Sequence, residues 1–416
     1  MKIRKEYVDA IQYTAIIGWI FILFLVSMNY LNLINEVIVR FGIYSLFMLI
    51  VLWKKPTFNL EFILLLAFTT SYFFIYIQYR DYSKWSHIEL WFGAPMMYFM
   101  GKNFITPKSI KFFKWLIYAV VFGLFMYASL NMIDYVKEYA AGSGPRIAYD
   151  FWVGHMIGAP LMGVYITPVA LLLTYNLFHL NWKKDLFIKI VHFISFGLSV
   201  YFTILLQNRS YFFIVSIVFV LMFLLQIVLN KFKMLKPTFI AVVFIGIIYF
   251  SYKFNVFGIQ TFIVDTAWYT RVIKTIENGI LIDGRFTIYP LVRDQFKLYP
   301  LGGYQMDLGG LVYAHNLWLD ILYAVGRYPF FIFVGYTLLT ITTIVRINFN
   351  KHIDTSIKIL ISSVYLGFTL NFMVEPIIEG VPYVLIIFCL VNGATYEYLK
   401  MTREKHQTPT ESLSMK

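Results

Sequence analysis

The chain alternates long apolar runs with short polar turns. A helix needs about 20 mostly apolar residues to cross the roughly 30 Å hydrocarbon core of a bilayer. Runs of that kind are centred near Trp19, Phe47, Ala67, Pro95, Phe122, Pro168, Phe196, Ser216, Phe244, Gly335, Tyr365 and Ile387, the Pro95 run being the shortest. This pattern predicts an all-α polytopic membrane protein with about 12 transmembrane helices. One interruption differs in kind. Residues 256–316 form a long polar segment between the ninth and tenth runs, whereas most other connections are short; a lesser loop spans Asp134 to about Ile157. The expected organisation is N-terminal transmembrane helices over 1–195, a core over 196–345 that includes the loop 256–316, C-terminal transmembrane helices over 346–401, and a polar, disordered tail over 402–416.

Composition agrees with the pattern. Hydrophobic residues make up 60% of the 416 positions and charged residues only 14%, against about a quarter charged in soluble domains. Aromatic residues reach 20%, which suits spans flanked by interfacial Tyr and Trp. The N-terminal MKIRKEYVDA leads into an apolar run with no small-residue cleavage site, so no cleavable signal peptide is expected. A single cysteine, Cys389, rules out an intrachain disulfide or a cysteine metal cluster. The net charge of +13 raises a nucleic-acid reading, but the basic residues are scattered through turns between spans, and that reading is rejected.

The basic residues also set an orientation. With the N-terminus in the cytoplasm, 22 of the 35 lie on the cytoplasmic side and 13 on the other. Both termini are then cytoplasmic and 256–316 is extracytoplasmic. Only 3 of the inner 22 are arginine, whereas 8 of the outer 13 are: Arg40, Arg80, Arg146, Arg209, Arg271, Arg285, Arg293 and Arg327. Topology does not distinguish Arg from Lys. A planar guanidinium suits bidentate binding of phosphate and stays charged when partly buried; pairing with carboxylates or lipid headgroups is the competing explanation for each arginine.

The densest chemistry lies in 283–326, DGRFTIYPLVRDQFKLYPLGGYQMDLGGLVYAHNLWLDILYAVG. Within 256–316 the bases Arg271, Lys274, Arg285, Arg293 and Lys297 balance Asp265, Glu277, Asp283, Asp294 and Asp307. Any anion binding must therefore come from where particular arginines point. On an unbroken helix Arg285 and Arg293 would differ in direction by about 80° and could line one cleft. Pro290 stands between them, so the helix is either kinked or begins there. Arg293 has a local alternative, an ion pair with Asp294. Asn316 is placed to cap the helix that follows. Asp320 and Arg327 would share a face if that helix continued, as a structural pair.

Three stretches resemble the O-antigen ligase and polysaccharide polymerase family. ILLQNRSYFFIVSIVFVL at 204–221 resembles the family's short Ser-Arg element between two spans, with Asn208 and Arg209 in it. DGRFTIYPLVRDQFKLYPLGG at 283–303 resembles its Gly-Arg, helix and Pro-x-Gly turn. AHNLWLDILYAVGRYPF at 314–330 resembles its His-Asn-x-x-Leu element followed by glycine. The motifs fall within about 196–335, a third of the chain. Asn208 departs from the family's small serine, Tyr304 stands where a third glycine would follow Gly303, and Pro290 interrupts the loop helix.

The resemblance implies transfer of a glycan from an undecaprenyl-pyrophosphate carrier to an acceptor hydroxyl, with no metal and no cofactor. Arg209, Arg285 and Arg293 would stabilise the charge developing on the leaving lipid pyrophosphate. His315 would activate or orient the acceptor hydroxyl, with Asn316 beside it. Arg146, in AAGSGPRIAYDFW, would contact the acceptor glycan, with Tyr149 and Trp152 able to stack on sugar faces or to anchor at the interface. Glu375 and Glu379 flank Pro376 near the external ends of two late spans, and His192 is read as a hydrogen bonder between packed helices. The implied partners are the undecaprenyl-pyrophosphate-linked oligosaccharide, membrane lipids, a flippase and a chain-length regulator; no nucleic acid is among them. The favoured reading is a polymerase of lipid-linked repeat units. The alternatives are a ligase acting on a lipid A-core or other surface acceptor, and a flippase or transporter, which would favour inverted repeats and midplane charges. A metal-dependent glycosyltransferase would carry paired carboxylates in the first external loop, where Met28–Arg40 offers only Glu36.

Overall fold

The computed structural model describes residues 2–33, 57–79, 86–139, 144–179, 185–230, 249–277, 284–310 and 313–407, with isolated positions 42, 45 and 246. Long helices dominate: α1 (Lys2–Ser27), α2 (Leu60–Tyr79), α3 (Ser86–Phe104), α4 (Phe113–Asn131), and after the short α5 (Ile133–Glu138), α6 (Ala159–His179), α7 (Leu186–Leu205) and α8 (Ser210–Asn230). The polar segment contributes α9 (Ile259–Val264), α10 (Ala267–Glu277) and α11 (Gly284–Leu298). It is followed by α12 (Leu317–Val325), α13 (Arg327–Phe349), α14 (Thr355–Val374), the one-turn α15 (Ile377–Gly380) and α16 (Pro382–Gln407).

Eight helices among the described residues are long and apolar enough to cross a membrane, and the chain is a multi-pass, helical membrane protein. Helices carry the expected centres at Trp19, Ala67, Pro95, Phe122, Pro168, Phe196, Ser216, Gly335, Tyr365 and Ile387. The centres near Phe47 and Phe244 lie outside the described residues. Two β-strands, β1 (Ile147–Tyr149) and β2 (Met156–Gly158), pair antiparallel with Ala148 opposite Ile157. Asp150 shapes their turn by accepting from the Trp152 and Val153 amides at 2.8 and 3.3 Å. A short hairpin closed by an Asp carries no helical period and was not anticipated.

Two expectations need correction, and the choice left open at Pro290 is decided. The last helix runs to Gln407, so 402–407 are helical and not a disordered tail; Thr402 bonds back to the Tyr398 carbonyl at 2.8 Å. Pro290 lies inside α11 and does not begin it. The helix after Asn316 stops at Val325, and Gly326, at φ +89°, separates it from the helix that begins at Arg327. Asp320 and Arg327 therefore do not share a helix face, and the Arg327 guanidinium instead lies 5.3 Å from the centre of the Tyr328 ring.

The described structure divides into two compact units, each drawn from separated stretches of sequence. The first comprises 1–123, 324–358 and 382–416. Its α3 and α16 meet backbone to backbone. A Cβ on Gly101 would lie 1.9 Å from the Leu390 carbonyl oxygen, and one on Gly393 1.8 Å from that of Tyr98. Apolar surface gains little by leaving lipid, so small residues that permit such approach carry much of helix association in a membrane. A buried polar knot adds to this. Glu61 on α2 accepts from Tyr98 on α3 at 2.8 Å and from Thr343 on α13 at 2.7 Å, and Tyr98 accepts from Asn59 at 2.7 Å.

The second unit comprises 124–323 and 359–381. Leu171 of α6, Ile214, Val218 and Met222 of α8, and Ile359 of α14 form a fully buried cluster. The polar segment brings a core of its own: Ile288 and Val292, one turn apart on α11, pack with Met306, Leu308 and Ala314. That cluster fixes α11 against the turn leading to His315 and makes a long polar segment into a folded layer.

Candidate functional site

The break between α7 and α8 is the first fixed point. Gln207 takes a left-handed conformation, φ +56°, uncommon for a residue with a side chain and a mark of constraint. Carbonyls at the C-terminus of a helix lack intrahelical partners and carry the negative end of its dipole. Here the Gln207 carbonyl accepts from Arg271 Nη1 at 3.4 Å and the Asn208 carbonyl from Trp268 Nε1 at 3.3 Å. Both donors lie on α10, so the polar segment closes over the break. The Tyr135 hydroxyl lies 3.2 Å from the Leu205 carbonyl and 2.8 Å from that of Pro145, and Gln207 Nε2 reaches the Gly144 carbonyl at 3.4 Å. The segment leading into Arg146 is thereby held at the same break.

Asn208 has a structural task. Its Oδ1 accepts from the Tyr211 amide at 3.3 Å and from Ser210 Oγ at 2.7 Å, capping α8. Its Nδ2 donates to the Ala159 carbonyl at 2.8 Å. The amide packs where a Cβ on Gly163 would stand, 2.2 Å from Nδ2, so Asn208 and Gly163 suit each other sterically. Arg209 follows, half-buried, at the start of α8. Beside it Ser210 Oγ also lies within hydrogen-bond distance, 3.0 Å, of Oε1 of the fully buried Glu375. That carboxyl sits at the positive end of α8 and already occupies the helix terminus.

The C-terminal end of α14, with Glu375 just beyond it, is the second fixed point. The Met373 carbonyl, two residues before Glu375, accepts from Asn316 Nδ2 and from the Tyr289 hydroxyl, each at 3.3 Å. Asn316 also caps α12, its Oδ1 accepting from the Trp318 and Leu319 amides at 3.2 Å. His315, half-buried, adopts φ +55°, and its ring lies edge-on to Tyr313 with centroids 4.9 Å apart. Asp320 holds this strained turn. Its Oδ1 accepts from the Ala314 amide at 2.5 Å while its own amide donates to the Asn316 carbonyl at 2.7 Å. Asp320 is buried. Burial, with help from the charge of Glu379 and against the pull of the Ala314 N–H, pushes its carboxyl up to about 7.

Arg209, Asn316, His315 and Arg146 all belong to the second unit. Asn316 bonds to Met373, the neighbour of Arg209 bonds to Glu375, and the segment before Arg146 is held at the α7–α8 break by Gln207 and Tyr135. Arg285 lies on the first turn of α11, and its side chain is outside the described residues. Arg293 is exposed and paired with Asp294 at 3.1 Å, with Lys297 3.5 Å from the same oxygen; the arginine's hydrogen bond holds the Asp294 carboxyl below its usual range. The local ion pair thus forms. Tyr149 is half-exposed on β1. His192 is buried on α7. Among the described residues no group of three or more His, Cys, Asp or Glu is arranged to hold a metal ion.

Sequence reasoning passed over Arg271, Trp268 and Tyr289, and assigned Asp320 to the wrong partner. Arg271 was one of the eight outer arginines, and that enrichment was its only signal. Asp320 follows Asn316 by four residues, a spacing at which a helix N-terminus can be tied back on itself. No protein-family model matches this sequence, and none of the curated proteins compared with it matches.

Proposed function

We propose that the chain is a membrane glycosyltransferase that polymerises polyprenyl-pyrophosphate-linked oligosaccharide repeats into a surface polysaccharide, without a metal ion, at the outer face of the cytoplasmic membrane. In this reading about 12 spans place both termini in the cytoplasm and 256–316 outside. The observation that carries it is the convergence of the three motif segments. The stretches around Arg209, α11 and His315 lie up to about a hundred residues apart, yet each makes a hydrogen bond to the C-terminal end of α14 or to the residue that follows it, at Met373 and Glu375.

The chemistry follows from the residue types. The acceptor hydroxyl oxygen bonds to the anomeric carbon as the bond from that carbon to the pyrophosphate oxygen breaks. The hydroxyl proton passes to the neutral imidazole of His315, and the pyrophosphate leaves with the bonding electron pair. Arg209 and Arg285 meet that charge with planar, permanently protonated donors. The same residues would serve a ligase, whose acceptor is a lipid A-core or other surface sugar. The test is turnover of a polyprenyl-pyrophosphate glycan by the purified protein in detergent with EDTA present and with neither ATP nor an ion gradient. Longer glycans on the lipid support polymerisation, and transfer only to an added core acceptor supports ligation. Lipid-linked glycan returned unchanged counts against both and favours a transporter.

A further inference from the structure

A second site lies in the first unit, on elements the proposed chemistry does not use. A cavity of about 530 Å³ opens between α1 and α3, within the roughly 300–1,000 Å³ typical of small-molecule sites. Its wall is apolar: Ile16, Trp19 and Leu23 from α1 face Met100 and Phe104 from α3. Its polar end is made by Gln12, Asn103 and the turn carrying Thr106, Lys108 and Ser109. From Gln12 to Leu23 is eleven residues, about 16 Å along a helix. That matches one leaflet of a hydrocarbon core about 30 Å thick.

The polar end is cationic. Residues 102–114 carry Lys102, Lys108, Lys111 and Lys114 and no acidic residue. Lys108 Nζ donates to Asp9 Oδ1 at 2.7 Å and to Gln12 Oε1. An ammonium has three N–H donors, so one remains for a ligand at the mouth. Lys111 Nζ sits 4.0 Å from the centre of the Tyr13 ring, one turn of chain beyond. Asp9 offsets Lys108, the basic residue of the lining, and Lys111, just outside the lining beside Tyr13, supplies the further positive charge at the rim. Basic pockets between transmembrane helices bind anionic lipid headgroups, and a slot of leaflet depth below such a rim fits a fatty-acyl chain.

We infer that this slot binds one anionic phospholipid, an acyl chain lying along Ile16, Trp19 and Leu23 and the phosphate meeting Lys108 and Lys111. The probe is phosphatidylglycerol added to the full-length, delipidated protein, with phosphatidylcholine and inorganic phosphate as the other arms. Retained lipid is counted by native mass spectrometry. One phosphatidylglycerol should be retained per chain, in preference to phosphatidylcholine, with no displacement by millimolar phosphate. Lys108→Ala should weaken retention about fivefold, the share expected of one lysine near an anionic lipid surface. Ala15→Trp, which fills the slot and leaves every lysine in place, should abolish it. Equal retention of both lipids, displacement by free phosphate, or undiminished binding in either variant would overturn the inference. So would occupation of the slot by a second copy of the chain, read as a lipid-free dimer in the same spectra. Should Ala15→Trp not fold, Leu23→Phe narrows the same slot and its retention is judged by the same criterion.

Discussion

Asp320 offers the sharpest quantitative handle on the His315 turn. An ordinary aspartate titrates near 3.9, and burial pushes the Asp320 carboxyl up to about 7. The folded turn thus binds the proton more tightly than the opened chain does. Below about pH 4 both states are protonated and nothing is lost. As pH rises the opened chain ionises first, so the fold loses stability through the window from about 4 to 7 and levels off above it. At about 1.4 kcal/mol per tenfold, the loss grows across that window to a few kcal/mol above pH 7. Asp320→Asn keeps an oxygen for the Ala314 N–H and removes the charge. Thermal unfolding of the two proteins in detergent, followed by tryptophan fluorescence from pH 4.5 to 8, should show the Asn variant gaining on the wild type as pH rises. Asp320→Ala should differ, because a buried Ala314 N–H loses its acceptor at a cost of about 1–3 kcal/mol at every pH. Parallel curves for wild type and Asp320→Asn, or a wild type that gains with pH, would refute the reasoning.

Other consequences can be checked directly. Arg209→Lys keeps the charge and loses the fork, so polymer formation should fall by at least tenfold at unchanged protein level; full activity would dispose of the pyrophosphate clamp. Gly393→Val must push α3 off α16, since even a Cβ there meets the Tyr98 carbonyl at 1.8 Å, and overpacking of this kind costs about 1–3 kcal/mol or more; the fall in melting temperature measures it. A reporter fused near Tyr304 should report an extracytoplasmic position and one near Lys233 a cytoplasmic one, the reverse pattern sinking the orientation.

Hydrophobic run length made the helices readable, because a bilayer imposes one length scale on every span. It said less where that scale does not apply. The fold of 256–316 rests on α11 burying Ile288 and Val292 against Met306, Leu308 and Ala314, a contact between one helical turn and a glycine-rich loop that has no period of its own. Glu375 stood out as a carboxyl beside a span, but its partner Ser210 lies 165 residues away, and no local pattern encodes that pairing. Asn316 was legible because capping is local. The ion pair of Arg293 with adjacent Asp294 was legible from its neighbours, and it forms. His315 was singled out by resemblance, whereas its left-handed backbone, a physical reason to examine it, is visible only in the fold.

The most direct measurement separates binding from transfer at His315. Purified wild type, His315→Ala and Arg209→Ala are each given a labelled polyprenyl-pyrophosphate glycan in detergent with EDTA, and donor binding and glycan transfer are followed in the same samples. The account expects His315→Ala to bind donor within about threefold of wild type while transfer falls at least a hundredfold, the range a general base contributes, and Arg209→Ala to lose both. Transfer by His315→Ala at the wild-type rate, or transfer by the wild type only when a divalent metal is restored, would contradict it.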